Sequence, residues 1–324
     1  MKKKILIAIL IVCSVIFAFI VFLVILGLVA DKIQAPEKNR IPDKDDLSSG
    51  ILDYLDDLDA EEKQNLIDEA VSGNYPVEWP VLWIVVKRIN LDERDTDKNI
   101  THFDIEMSDE ESDYLLNTMS ERFARRVNEY TDGLVNVKIT PLLYGEVNYL
   151  NDDGSTIALD PKSFPDIADT FTNYNTVICT ARMTSEGGPS IDTGCAGCAF
   201  CYPLPGNYGF AQVPTSEEPS YEEPSHLAEF RDNPVPEEVY IHEWLHTFED
   251  FEEKMLDCDG NPDCAFDYGY ECQTSFGMNG FYEYYKDLLN GRVADKKNLR
   301  FVGMNEKPWR TFAMLMDIAK DRSR

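Results

Sequence analysis

His242, Glu243 and His246 are the residues of this 324-residue chain whose types and spacing most directly specify a chemistry. The chain has four histidines, and two of them lie four positions apart in Tyr240-Ile241-His242-Glu243-Trp244-Leu245-His246-Thr247. Residues four apart on a helix project from one face, so both imidazoles can hold a single ion at about 2.0–2.1 Å. Glu243 lies beside them and can reach a water held by that ion without being a ligand, which is what a general base requires. The chemistry this arrangement allows is metal-assisted hydrolysis. Zn²⁺ polarises a carbonyl and lowers the pKa of water to about 7, while the carboxylate takes the proton and later delivers it to the leaving group.

A helix must carry these residues, and the flanking sequence announces one. Pro236 suits a first helical turn, and Glu237 and Glu238 suit the positive end of the helix dipole. At 100° per residue, Ile241, Trp244, Leu245, Phe248, Phe251 and Met255 gather on one broad arc, with His242 and His246 at its edge. Such a helix buries its back and offers its histidines to a cleft.

On the His-Glu-x-x-His motif the chain resembles the zincin metallopeptidases. The resemblance extends to the order of elements over about residues 80–290: a mixed sheet, a long helix across it, an edge strand, the metal-binding helix and a mainly helical C-terminal part. It implies that His242 and His246 bind Zn²⁺ and that Glu243 acts as base and then proton donor. It also implies an α+β, zincin-like fold. The metzincin branch is excluded, since Glu249 and Glu252 stand where that branch needs Gly and His. His102 and His226 sit in polar segments without supporting pattern, so a carboxylate is expected as third ligand. Candidates come from residues 263–272, a segment ending near Cys264 and Cys272, which would fix it in place. Asp267 is favoured, with Glu271 as the alternative and Glu283 a further one. On a short helix at 280–289, Tyr282 is the oxyanion candidate, beside Tyr284 and Tyr285.

Upstream, residues 51–71 read as an acidic amphipathic helix or helix pair, and residues 80–86 as a buried strand. Ser108 with Glu111 forms a capping-box pattern that opens a helix running to Asp132-Gly133. Strands follow at 134–143 and 176–181, with a short helix at 166–171 between them. Residues 184–214 read as a Gly-, Pro- and Cys-rich loop ending in an edge strand at 208–213, and 214–236 as a flexible acidic segment.

The net charge of −29, from 59 acidic and 30 basic residues, argues against nucleic acid as a partner. Three lysines precede a stretch that is uncharged from residue 5 to residue 30. As a helix it measures about 39 Å, enough to cross a bilayer, and the lysines place the N-terminus in the cytoplasm. The expected organisation is residues 1–4 cytoplasmic, 5–30 a transmembrane anchor, 31–50 a linker, 51–78 an acidic helical segment and 79–324 the catalytic domain. A signal cleaved after Ala30 gives the same outside location with secretion instead of anchoring. Cys13 lies in the apolar stretch, and the other seven of the eight cysteines fall after residue 178. Outside the cell at most three intrachain disulfides form from them, and Cys195-x-x-Cys198-x-x-Cys201 reads as a stapled loop in preference to a metal site. Asn99-Ile100-Thr101 is a glycosylation acceptor pattern. The function expected is a membrane-anchored, extracytoplasmic zinc metallopeptidase acting on peptide or protein substrates. The alternatives are a non-catalytic surface binding or sensing module on such a fold, or a zinc hydrolase of a non-peptide substrate.

Overall fold

Val81, Trp83 and Val85 alternate with Leu82, Ile84 and Val86 along one strand, and all six are buried. The first set joins one hydrophobic core and the second another, so this strand separates two cores. A continuous apolar run is what such a position demands. The strand, β1 (Val77–Arg94), is the centre of a mixed sheet. The computed structural model describes residues 41–322 except 43, 45, 48–49, 194–197, 205–206, 216–236, 256–259 and 274–279, with the side chains of 198–204 also outside the description.

β1 pairs in parallel with β3 (Val135–Val147) and, through its distal end, antiparallel with β2 (Ile100–Glu106); Arg88 and Ile89 pair with both strands, which therefore flank β1 on opposite sides there. It also pairs in parallel with β6 (Thr176–Arg182), which pairs in parallel with β8 (Tyr208–Thr215). The short β4 (Asn151–Asp152) and β5 (Ile157–Ala158) form a separate antiparallel pair. The sheet ends in β7 (Cys198–Leu204), antiparallel to β8 and shifted in register between Phe200 and Leu204. The edge strand is therefore β7, from the region read as loop, whereas β8 lies inside. Tyr208 and Phe210 face one core while Ala211 and Val213 face the other, a two-sided burial that an edge does not need. Pro203 is tolerated in β7 because an edge can dispense with a ladder donor.

The first core lies under helices. The expected helix at 108–130 is interrupted: α3 (Asp109–Asp113) passes through a π-turn at Tyr114–Met119 into α4 (Ser120–Tyr130). Ser108 Oγ accepts the Glu111 N–H at 3.1 Å, and the Glu111 carboxylate lies 3.8 Å from Arg182 in a buried ion pair. Before β1, the acidic segment forms two helices, α1 (Ile51–Asp56) and α2 (Ala60–Ser72), whose Ile51, Leu52, Leu55, Leu66, Ile67 and Ala70 share this core. Trp79, Trp244 and Trp309 meet at its centre, with Trp244 stacked on Trp309 at 5.7 Å. Trp309 belongs to the closing helix, Glu306–Ala319. The second core is covered by residues 150–174, where the short helix expected at 166–171 forms as a 3-10 helix at Ala168–Asn173, after another at Pro161–Ser163.

The C-terminal part is mainly helical but includes a hairpin of β9 (Val293–Asp295) and β10 (Arg300–Val302). Among the described residues no helix is long and apolar enough to cross a membrane. Residues 5–30, the 31–40 part of the linker and the 216–236 part of the acidic segment lie outside the description, as do Cys195, Cys258 and the side chains of Cys198 and Cys201.

Candidate metal centre

The motif helix, Glu238–His246, is held at its start by charge and along its length by packing. Glu237, fully buried at its N-cap, accepts from Arg122 Nε at 3.0 Å and from Arg126 Nε at 2.8 Å, both on α4. Ile241, Trp244 and Leu245 are buried in the first core. Thr247 presses on β8 so closely that a Cβ on Gly209 would stand 2.5 Å from the Thr247 Cβ, which makes Gly209 a condition of the approach. The chain turns at Thr247 and Phe248 and resumes as a short helix, Glu249–Lys254. Glu249, three residues after His246, lies beside it across that turn.

His242 and His246 meet with Nε2 atoms 3.1 Å apart and ring planes nearly perpendicular, at 86°. The Asp263 carboxylate faces both, 3.6 Å from His242 Nε2 and 3.8 Å from His246 Nε2. Donors at about 2.0–2.1 Å around one tetrahedral ion are separated by about 3.3 Å, so the three fit a single small cation. The Glu243 carboxylate lies 4.0 Å from His242 Nε2, beside this group.

Both outward ring nitrogens are occupied. His242 Nδ1 is 2.7 Å from the Tyr285 hydroxyl, and His246 Nδ1 is 3.0 Å from Glu249 Oε1. When each Nδ1–H donates to its partner, both Nε2 lone pairs point at the same place, which is the tautomer a metal-binding imidazole needs. Burial, and secondarily the neighbouring His246, lowers the His242 pKa to about 3, so this ring is neutral at ordinary pH. For His246 burial acts downward, but the Glu249 hydrogen bond and the charges of Glu249, Glu243 and Asp263 together raise its pKa. Burial raises Glu243 to about 7 against the opposing effect of His246, with Asp263 and Glu249 adding to the rise. Burial foremost also holds the Tyr285 phenol well above its ordinary value, hence protonated.

The carboxylate that faces the two histidines is Asp263, and the structure does not bring Asp267, Glu271 or Glu283 to them: among the described residues the group that could hold an ion is His242, His246 and Asp263. The segment is a 3-10 helix, Pro262–Tyr268, whose first turn faces the motif helix. Asn261 organises it. Its side-chain oxygen accepts the Asp263 N–H at 2.7 Å, its amide donates to Glu249 Oε1, and its backbone carbonyl accepts the Tyr284 hydroxyl at 2.5 Å. Hydrogen bonding therefore does the fixing that cysteines were expected to do, and the Cys264 thiol is free, as is that of buried Cys179. Tyr282 is only part-buried against the core, and Tyr285, about five-sixths of a turn further along the helix Tyr282–Leu289, is the tyrosine at the site. Of the other histidines, His102 pairs with Asp92 across the β1–β2 hairpin, and His226 lies outside the described residues.

Neither Asp263 nor Asn261 stands out from sequence pattern as part of the centre, and Tyr285 is marked there only as a neighbour of Tyr282. One signal was present: Asn261-Pro262-Asp263 is a side-chain cap followed by proline in the first helical turn, which fixes the backbone where Asp263 begins it. The chain matches no protein-family model, no curated protein and no solved structure.

Proposed function

We propose that the chain is a zinc-dependent metallopeptidase of the zincin kind, anchored in the membrane by residues 5–30 with its catalytic unit outside. The observation that carries the reading is the convergence of His242 Nε2, His246 Nε2 and the Asp263 carboxylate, with Glu243 buried beside them and each imidazole backed by a second partner. A structural site would close its fourth position with another protein donor, whereas a catalytic one keeps three protein ligands and an open position. Among the described residues the group contains three, and the Asp263 side chain is 59 % exposed, so the centre faces solvent on one side. Bound zinc would supply a Lewis acid that polarises the scissile carbonyl and makes water more acidic. Glu243 takes the proton from the attacking water and returns it to the leaving amine. Tyr285 and Glu249 hold the imidazole planes, and no covalent intermediate on the protein is needed. The mixed sheet, the antiparallel edge strand preceding the motif helix and the mainly helical C-terminal part support the zincin assignment. The three N-terminal lysines and the apolar stretch behind them support the location.

The test is metal analysis and peptide-library cleavage with the purified full chain. One zinc per chain, with cleavage abolished by a chelator and restored by zinc, is expected. Asp263→Asn should lose zinc in a competition titration while Asp267→Asn and Glu271→Gln retain it. Failure of the wild-type chain to hold zinc, or zinc-dependent hydrolysis of esters and small amides without cleavage of any peptide, would overturn the assignment.

A further inference from the structure

The β9–β10 hairpin breaks two rules that surface turns follow. Leu299 at its tip is 92 % exposed and has a left-handed backbone at φ 53°, a conformation that Gly, Asn or Asp adopts far more readily than leucine. Phe301, two residues on, is 66 % exposed. Neither side chain contributes to a core, and the tip is not loose. The Asp295 carboxylate accepts the backbone N–H groups of Lys297 and Asn298 at 3.1 Å each and the Asn298 side-chain amide at 2.7 Å. The turn is thereby built to hold Leu299 outward, against its own backbone preference and against the tendency of apolar groups to leave water.

Charge at the tip also departs from the rest of the molecule. Lys296, Lys297 and Arg300 flank the apolar pair, all exposed, and Asp295, folded into the turn and 3.5 Å from Arg300 Nε, is the one carboxylate from residue 292 to residue 301. This stands in a chain whose net charge is −29. We propose that the hairpin tip is a membrane-contact element, in which Leu299 and Phe301 enter the interfacial layer of a bilayer while Lys296, Lys297 and Arg300 engage anionic headgroups. Apolar side chains framed by cations are the chemistry that binds such a surface. A nucleic acid would satisfy the cations but gives Leu299 no apolar phase to enter. The inference goes beyond the hydrolytic reading and is independent of the metal centre.

The experiment exploits the native tryptophans, all four of which are fully buried. In Leu299→Trp, and separately in Phe301→Trp, the introduced indole is the one within reach of lipid. Each full-length variant is reconstituted into phosphatidylcholine vesicles with or without phosphatidylglycerol, with bromine-labelled acyl chains as the quencher. Blue-shifted, quenched emission that strengthens with phosphatidylglycerol is expected, and replacing Lys296 or Lys297 with Gln should lower the inserted-to-free ratio about fivefold each. Emission that stays water-exposed in phosphatidylglycerol vesicles overturns the proposal. So does quenching indifferent to the lysines, or a blue shift without lipid that grows with protein concentration, which would seat a second copy on the hairpin.

Discussion

Glu237 and Glu243 lie six residues apart on the same stretch of helix and are both buried, yet they are opposite kinds of carboxylate. Glu237 is gripped by Arg122 and Arg126, which satisfy its charge and tie the start of the motif helix to α4. Glu243 has no such grip. The charged groups around it are His246, Asp263 and Glu249, and burial pushes its proton affinity up. Glu237 is part of the scaffold, whereas among the described residues no Lys or Arg pairs with Glu243. The difference is electrostatic: three carboxylates and two imidazoles gather where a divalent cation would balance them, while a cation-satisfied carboxylate anchors the helix from outside.

The sharpest way to break this contrast is catalytic. Glu243→Gln should keep zinc and lose peptide hydrolysis by about 10²–10⁴-fold in kcat/KM, the usual contribution of a general base. Full activity in that variant removes Glu243 from the chemistry. Glu237→Gln should do the reverse, leaving zinc affinity nearly intact while lowering stability. Removing one partner of a buried pair costs about 3–5 kcal/mol, and because Arg122 and Arg126 are 29 % and 23 % exposed, about 2–3 kcal/mol is expected from chemical denaturation. A variant as stable as wild type would mean that the pair does not anchor the helix.

Two smaller effects sharpen the picture. Asn261→Ala and Glu249→Gln should each weaken zinc binding about 10–100-fold in chelator competition, because they release the bonds that orient His246 and Asp263. Unchanged affinity would reduce those bonds to ordinary packing. The last concerns pH in the metal-free protein. The folded-state pKa of Glu243, about 7, lies above its unfolded value, so the folded chain binds the extra proton between the two. Stability therefore falls as pH rises through that window, and the penalty is fully present above about pH 7. Metal-free Glu243→Gln should be more stable than wild type at pH 8, by about 2 kcal/mol, and should lose that advantage by about pH 4. An equal difference at both pH values would mean that Glu243 does not titrate there.

Much of the frame was legible because it depends on local periodicity. The β-branched run from Val81 to Val86, bounded by proline and charge, reads as a buried strand, and Leu115, Met119, Phe123 and Val127 mark one helical face even though a π-turn interrupts it. The π-turn itself was not legible, since it keeps the helical spacing while shifting its phase. Nor was β7, whose Cys198, Cys201 and Pro203 look like loop residues until β8 lies beside them and supplies the ladder.

At the centre the same division holds. That His242 and His246 share a face, with Glu243 beside them on an amphipathic helix, was determined by the sequence alone, because the helical repeat sets those relations within a single turn. That the carboxylate opposite them is Asp263 and not Asp267 was decided only by tertiary structure. The two lie four residues apart in one acidic segment, and what selects between them is the docking of that segment through Asn261 onto Glu249 and Tyr284. The physical reason is range: spacing along the chain encodes which side chains share a face, but which face meets another element depends on packing between parts of the chain that no local pattern relates.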